Sequence, residues 1–418
     1  MIYVQRMIDH LERGQMKEAK EAYEVVRTSG TDDEKYALAT ELKQLGFLDE
    51  AMELYRNLLE LYPKEGELLV ELAETLMENS HDEEALSLLN KVDKNSTFYI
   101  ESLLMMADLY QADGLLEVSE QKLIEAKGLV RDEPVIDFAL GEIYLAQGKF
   151  LEAIRSFEQL INQHVSEFAG QSIHEKLAEA LSAGGSFEAA LPHYEKAIKH
   201  HEHPTLLFQY AITCYHAKFY EKSAQLLETL LEQDKDFHSA YLYLANSYEH
   251  EEQITKALEA IKRGVEENPF QKELFLSGGK LALKSKDEVL AENWLREAIA
   301  LDPEYVEALI VLTNLFLLQE SPEEVIQLLS DVDSYGDTDP QLQWTLAKAY
   351  NMNEEFSQAL NAYEGAYNEL QHDQEFLVEF AGFLLEEGQK DRSVELLKKV
   401  IESEPEHEDA RELLERLQ

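Results

Sequence analysis

A pattern of small and large apolar residues returns along this chain about every 34 residues, and this period constrains the fold more than any other feature. The small member falls at Ala19, Ala51, Ala85, Ser119, Ala153, Ala190, Ser223, Ala257, Ala291, Val325, Ala359 and Ser393. Only Val325 is not small. Eight of the eleven intervals are 34 residues, and the longest, between Ala153 and Ala190, is 37. Four places after each anchor stands a large apolar residue, as at Tyr23, Tyr55, Phe157, Tyr194, Leu295, Tyr363 and Leu397. A further apolar position follows at +7, and these offsets share one face of an α-helix. Nine to thirteen residues before the anchor, an apolar–small–apolar pattern marks a preceding helix, as in Leu72-Ala73 with Leu76, Leu140-Gly141 with Tyr144 and Leu346-Ala347 with Tyr350. Twelve such helix pairs do not share one globular core. Each buries its apolar face only against its neighbours in a stack.

The residues that stop helices keep the same register. Glycine stands five places before the anchor in six units, at Gly14, Gly46, Gly114, Gly148, Gly185 and Gly388. There it ends the first helix by taking a positive φ. Pro63, Pro269, Pro303 and Pro405 lie twelve residues after an anchor, and Pro134, Pro204 and Pro340 lie nineteen before one. Both places are the turn between units, where a helix stops or the next one starts. Helix-start boxes are expected at Thr31/Glu34, Ser80/Glu83, Ser172/Glu175 and Ser321/Glu324.

A 34-residue helix–turn–helix unit with small residues in both helices resembles the tetratricopeptide repeat (TPR), and the likeness to bacterial multi-repeat TPR proteins covers residues 1–404. It implies an all-α, right-handed superhelical solenoid of about twelve units whose first helices line a concave face. Unit one is degenerate in its first helix, unit nine carries Gly278-Gly279 where an apolar–small pair is expected, and Glu320 and Glu354 replace the turn glycine. The amphipathic segment 408–418 is expected to cap the open end of the stack. The long interval places three extra residues around 161–171. It divides the expected organisation into a sub-stack 1–164, a sub-stack 165–407 and the cap.

The formal net charge is −47, with 84 acidic against 37 basic residues spread along the chain. Such a surface argues against nucleic acid, whose phosphates need Lys and Arg, and against anionic membranes. No apolar stretch is long enough to insert in a membrane. The first ten residues lack a signal-peptide pattern, so a cytoplasmic location is expected. Cys214, the single cysteine, falls at a core position. His200-His201-Glu202-His203 is the only concentration of metal-capable side chains, and it falls at a helix end in an exposed turn, whereas zinc needs three or four ligands converging on one point. No phosphate loop, nucleophile elbow or catalytic constellation occurs. The chain is therefore read as non-enzymatic, with no cofactor and no metal.

What remains is the face of the first helices. Positions fifteen before each anchor are apolar in every unit but one, Trp344 among them. Positions eleven before run Ile8, Thr40, Glu74, Asp108, Glu142, Glu179, Ile212, Asn246, Lys280, Asn314, Lys348, Gly382. The line changes from acidic to alternating Asn and Lys, with Tyr215, His216, His250 and Lys284 beside it. Asparagine can both donate to and accept from a peptide backbone. The expected site is therefore a partner-binding groove made by Asn246, Lys280, Asn314, Lys348, Tyr215, His216, His250, Lys284 and Trp344, suited to an extended segment with an acidic group and one or two apolar residues. The co-chaperone clamp of the family, with Lys fifteen before the anchor, is absent. The expected function is a scaffold or adaptor that holds a protein partner. The alternative is a peptide-sensing regulator that changes conformation when its ligand binds.

Overall fold

The structure, a computed structural model, describes residues 2–332 and 339–417. Met1 of the first expected sub-stack and Gln418 of the cap lie outside the described residues. Twenty-five helices run through the rest as twelve helix–turn–helix pairs, from Ile2–Glu12 with Met16–Ser29 to Gln374–Glu386 with Lys390–Ser403, followed by Glu408–Leu417. No helix crosses Gly148 or Pro303. Within each pair the two helices pack together, and neighbouring first helices also touch along much of the chain. Among the described residues no helix is long and apolar enough to cross a membrane.

The turn inside each unit follows one rule. The residue five places before the anchor has a positive φ in all twelve units. Six are the expected glycines, and the other six are Ser80, Lys218, Glu252, Lys286, Glu320 and Glu354, with φ between 57° and 64°. The left-handed turn is thus kept even where no glycine supplies it, at a cost of roughly 1–2 kcal/mol per residue. This corrects the helix-start box expected at Ser80, which is the turn residue itself; the following helix starts after His81 without a side-chain cap. The box at Thr31/Glu34 forms in both directions, and Ser172 accepts from the Glu175 backbone. The Ser321 hydroxyl instead donates to the Gln319 carbonyl, 3.3 Å away.

Packing explains the small residues. A Cβ on Gly141 would come within 2.5 Å of the Phe157 ring, and one on Gly279 within 2.7 Å of Leu295. In both units the small residue of the first helix receives the +4 side chain of the second. Gly278 receives the Trp294 ring in the same way, which accounts for the glycine pair in unit nine. Where the anchor is serine, its hydroxyl is satisfied within the core. Ser119 donates to the Ala107 carbonyl at 2.8 Å and Ser393 to the Ala381 carbonyl at 2.7 Å. A buried hydroxyl is tolerated only when paired in this way.

The long interval contains the one non-helical element among the described residues. Glu167–Phe168 pairs antiparallel with Gln171–Ser172. Ala169 and Gly170 between them both have positive φ, the requirement of a tight two-residue hairpin turn. The sequence reading allowed no strand, and the extra residues form this short hairpin instead. Phe168 lies against Phe138, with ring centroids 4.9 Å apart.

The chain divides into two compact units between Leu206 and Leu207. In the first, one core runs from Val4 to Ile143 and a second joins Phe138, Phe157, Leu160, Ile173 and Leu177. Its least exposed carboxylate on a first helix, Asp137, is 1% exposed and lies 2.7 Å from the Lys127 ammonium of the preceding unit. In the second, a core runs from Phe275 through Ala410 and Leu417 of the terminal helix. That helix therefore buries its apolar side on the last full unit.

Candidate functional site

The first helices of units ten, eleven and twelve, Val306–Leu318, Pro340–Met352 and Gln374–Glu386, line a groove of about 750 Å³. Asn314 and Lys348 of the expected site both face it. Its apolar wall is Leu317, Leu318, Met352, Val378 and Phe383, with Tyr363 from a second helix and Leu413 from the terminal helix. Leu318 is 84% exposed and Met352 46% exposed. These are large apolar groups left in solvent at a position where the neighbouring units carry His216, His250, Lys284 and Glu386. Gly382 forms part of the lining, and a Cβ there would meet nothing within 4 Å. The missing side chain opens the groove.

The electrostatics differ from the expected basic stripe. The Lys348 ammonium lies 3.2 Å from the Glu379 carboxylate and 4.0 Å from the centroid of the Trp344 ring. Glu379 also accepts from Trp344 Nε1 at 2.8 Å and from the Tyr363 hydroxyl at 2.9 Å. Burial and the Glu379 carboxylate hold the Tyr363 phenol far above its ordinary pKa. Trp344 thus acts as a donor and a cation platform, and its ring is buried. Lys280 lies 4.0 Å from Glu307, and Lys284 pairs with Glu249. Each lysine of the expected line therefore has a glutamate from a neighbouring unit within 4.0 Å. The asparagine side chains at 246, 314 and 351 form no hydrogen bond with any described residue.

Tyr215, His216 and His250 come together at the start of the second compact unit. The Tyr215 hydroxyl is 3.3 Å from His250 Nε2, and the two rings meet edge-on at 5.7 Å. Tyr220 stacks on His250 at 4.2 Å, and Tyr243 meets Tyr215 edge-on at 5.6 Å. Burial, followed by Tyr220, raises the Tyr215 pKa above its usual value. These residues make an aromatic knot that packs on itself. Of the nine expected site residues, the structure gathers three here, pairs Lys284 with Glu249, and sets Asn314 and Lys348 in the groove lining with the Trp344 ring against Lys348. Asn246 and Lys280 stand apart from both sets.

Sequence reasoning missed the apolar wall. Its signal was the row seven places before the anchor, which reads His216, His250, Lys284, Leu318, Met352, Glu386. Read only to Lys284, the row looks polar; its next two members are the exposed apolar pair.

The acidic positions of the first compact unit are also shared. Lys43 lies 2.8 Å from Glu71 and pairs with Glu74, and Lys176 bridges Glu142 and Glu179 at 3.1 and 3.6 Å. Of the turn histidines, His203 accepts from the Leu206 backbone at 3.2 Å and lies 3.3 Å from Glu175. Its ring serves as a helix cap. Among the described residues no three His, Cys, Asp or Glu side chains are grouped to hold a metal ion.

Comparison with known proteins agrees with this architecture. The profile of YpiA-like tetratricopeptide repeats matches residues 111–165, and that of YpiA-like C-terminal repeats matches residues 340–407. General tetratricopeptide profiles match 44–109, 175–236 and 215–272. The crystal structure of the C-terminal part of a TPR repeat-containing protein from Cytophaga hutchinsonii aligns with a TM-score of 0.50 at 17% identity, covering 58% of this chain and 99% of that one. Tetratricopeptide repeat protein 21B of Homo sapiens is 23% identical over 287 residues, which is 60% of this chain and 21% of that protein. The TPR repeat-containing protein YpiA of Bacillus subtilis (strain 168) is 39% identical over 415 residues, covering 99% of this chain and 98% of that protein. With unit length, turn rule and small–large packing all in register, the chain belongs to the family of YpiA-like tetratricopeptide repeat proteins.

Proposed function

We propose that this chain is a non-enzymatic cytoplasmic scaffold that holds a segment of a partner protein in the groove over units ten to twelve. The observation that carries the reading is the exposure of Leu318 and Met352 beside the amides of Asn314 and Asn351, which bond to no described residue. Apolar groups left in water beside free backbone-pairing groups are the composition of a peptide site. Tetratricopeptide repeats are in general protein-binding, and this groove joins an apolar wall to amide and charged side chains. Its members come from three consecutive first helices and the terminal helix, so a bound segment would lie across the units.

The test is site-directed photo-crosslinking. A photoreactive residue at Met352 should capture a partner protein, and one at Lys399 on the second helix of the last unit should not. Replacing Gly382→Leu adds a side chain to the groove lining at a position where a Cβ meets nothing within 4 Å, and should abolish the Met352 product. Equal capture at both positions, or capture unaffected by Gly382→Leu, would remove the groove from the function.

A further inference from the structure

We infer that the segment this groove accepts is cationic and apolar, with a period of three: two large apolar side chains and then an arginine or lysine. The inference rests on the reading of the groove as a peptide site. It reverses the charge expected from the lysine line. Among the described lining residues the only lysine, Lys348, is already held by Glu379 and the Trp344 ring. Glu379 is in turn occupied by three donors. Glu386, exposed at the end of the groove, makes no ion pair or hydrogen bond with any described residue. The free charge that a ligand meets is therefore negative.

The period comes from the row seven places before the anchor. Leu318, Met352 and Glu386 occupy it in three consecutive units and all line the groove. Packed helices lie about 8–10 Å apart. An extended segment in the polyproline II conformation advances about 9 Å in each three-residue turn, so every third side chain faces the same way. Such a segment matches one side chain to each unit: apolar to Leu318, apolar to Met352, basic to Glu386. Its backbone, which has no internal hydrogen bonds in this conformation, is left to pair with Asn314 and Asn351. The charge of −47 over the whole chain draws a cationic segment in and repels an acidic one.

The test uses the full chain and fluorescently labelled seven-residue peptides, read by anisotropy. One peptide carries leucine at its first and fourth positions and arginine at its seventh, with proline and serine between. A second has the reverse order, and a third pair carries glutamate in place of arginine. The better arginine peptide should bind at least tenfold more tightly than its glutamate counterpart. Glu386→Lys should abolish or invert that preference, and Gly382→Leu should eliminate binding of every peptide. A glutamate peptide that binds as well or better, and is still lost with Gly382→Leu, overturns the charge assignment and leaves the groove intact. Binding that Gly382→Leu does not change shows that the groove itself is not the site. Failure of all four peptides at millimolar concentration overturns the period-three segment.

Discussion

Lys348 and Glu379 stand one unit apart in sequence and 3.2 Å apart in space, on the wall of the groove. The ammonium is also held over the Trp344 ring. The pair is half-buried, so its net worth is modest, of the order of 1 kcal/mol including the cation–π contact. Lys348→Met should lower stability by about that much in urea denaturation followed at tryptophan fluorescence. Lys348→Glu should cost more, because it sets two carboxylates against one another beside the same ring. Neither change should weaken binding of a cationic peptide. A loss of that binding would show that the lysine itself meets the ligand.

The positive-φ turns predict where the chain can be stabilised. Glu320 and Glu354 adopt the backbone of a glycine while carrying a side chain. Glu320→Gly and Glu354→Gly should each raise stability by about 1 kcal/mol, because relief of left-handed strain outweighs the entropy gained by the unfolded chain. The opposite change, Gly388→Ala at φ 74°, should destabilise by a similar amount. Thermal unfolding of the three variants beside the parent decides the matter. A stabilising Gly388→Ala would contradict the turn rule.

Two histidines predict an acid sensitivity in unit six. His174 Nδ1 and His193 Nδ1 lie 3.0 Å apart across the helix pair. Burial, then the Lys196 charge, holds both below the ordinary value of 6.5, with His200 adding to the effect at His174 and Glu158 opposing it at His193. The unfolded chain, whose histidines titrate near 6.5, therefore takes up protons first as the pH falls. Stability should decline as pH drops through 6.5 towards the folded values, and stay level above that range. The protection factors for hydrogen exchange over residues 173–198, which correct for the intrinsic rate at each pH, should fall on acidification in the parent. They should change less in the double variant His174→Gln/His193→Gln. Equal pH dependence in both would assign the effect elsewhere.

We propose that residues 161–186 are the softest internal segment and the joint between the sub-stacks 1–164 and 165–407. The hairpin there has two paired residues on each side, and His164, Ala169 and Gly170 all have positive φ. A stack held by nearest-neighbour contacts bends or opens where one interface is thin. Amide exchange should be faster in this segment than in residues 241–303. Equal protection would remove the joint.

The twelve units, their turns and the terminal helix were legible because each rests on a short-range rule repeated in register. Gly148 and Pro303 mark helix ends by backbone chemistry alone, and the +4 side chains declare the core by size. The hairpin at Glu167–Ser172 was not legible, since two-residue strands carry no periodicity. Ser80 misled because the same residue type serves as a cap and, here, as a left-handed turn. Asn314 and Lys348 do line the groove, but the partner of each lysine sits roughly one repeat away, where reading along a single row does not look. Leu318 and Met352 passed as ordinary helix residues because exposure is decided by the neighbouring units.

Cys214 gives the chain a built-in clock. It is the only thiol in the sequence and is 0% exposed, within the helix Pro204–His216. A thiol reagent can reach it only when that one repeat comes apart, so the modification rate times the opening of a single position in the array. Set beside the rate of complete unfolding, it measures how far an opening spreads before it closes. A rate equal to global unfolding means that the repeats yield together. A much faster rate means that a few helices can detach while the rest of the array stays folded.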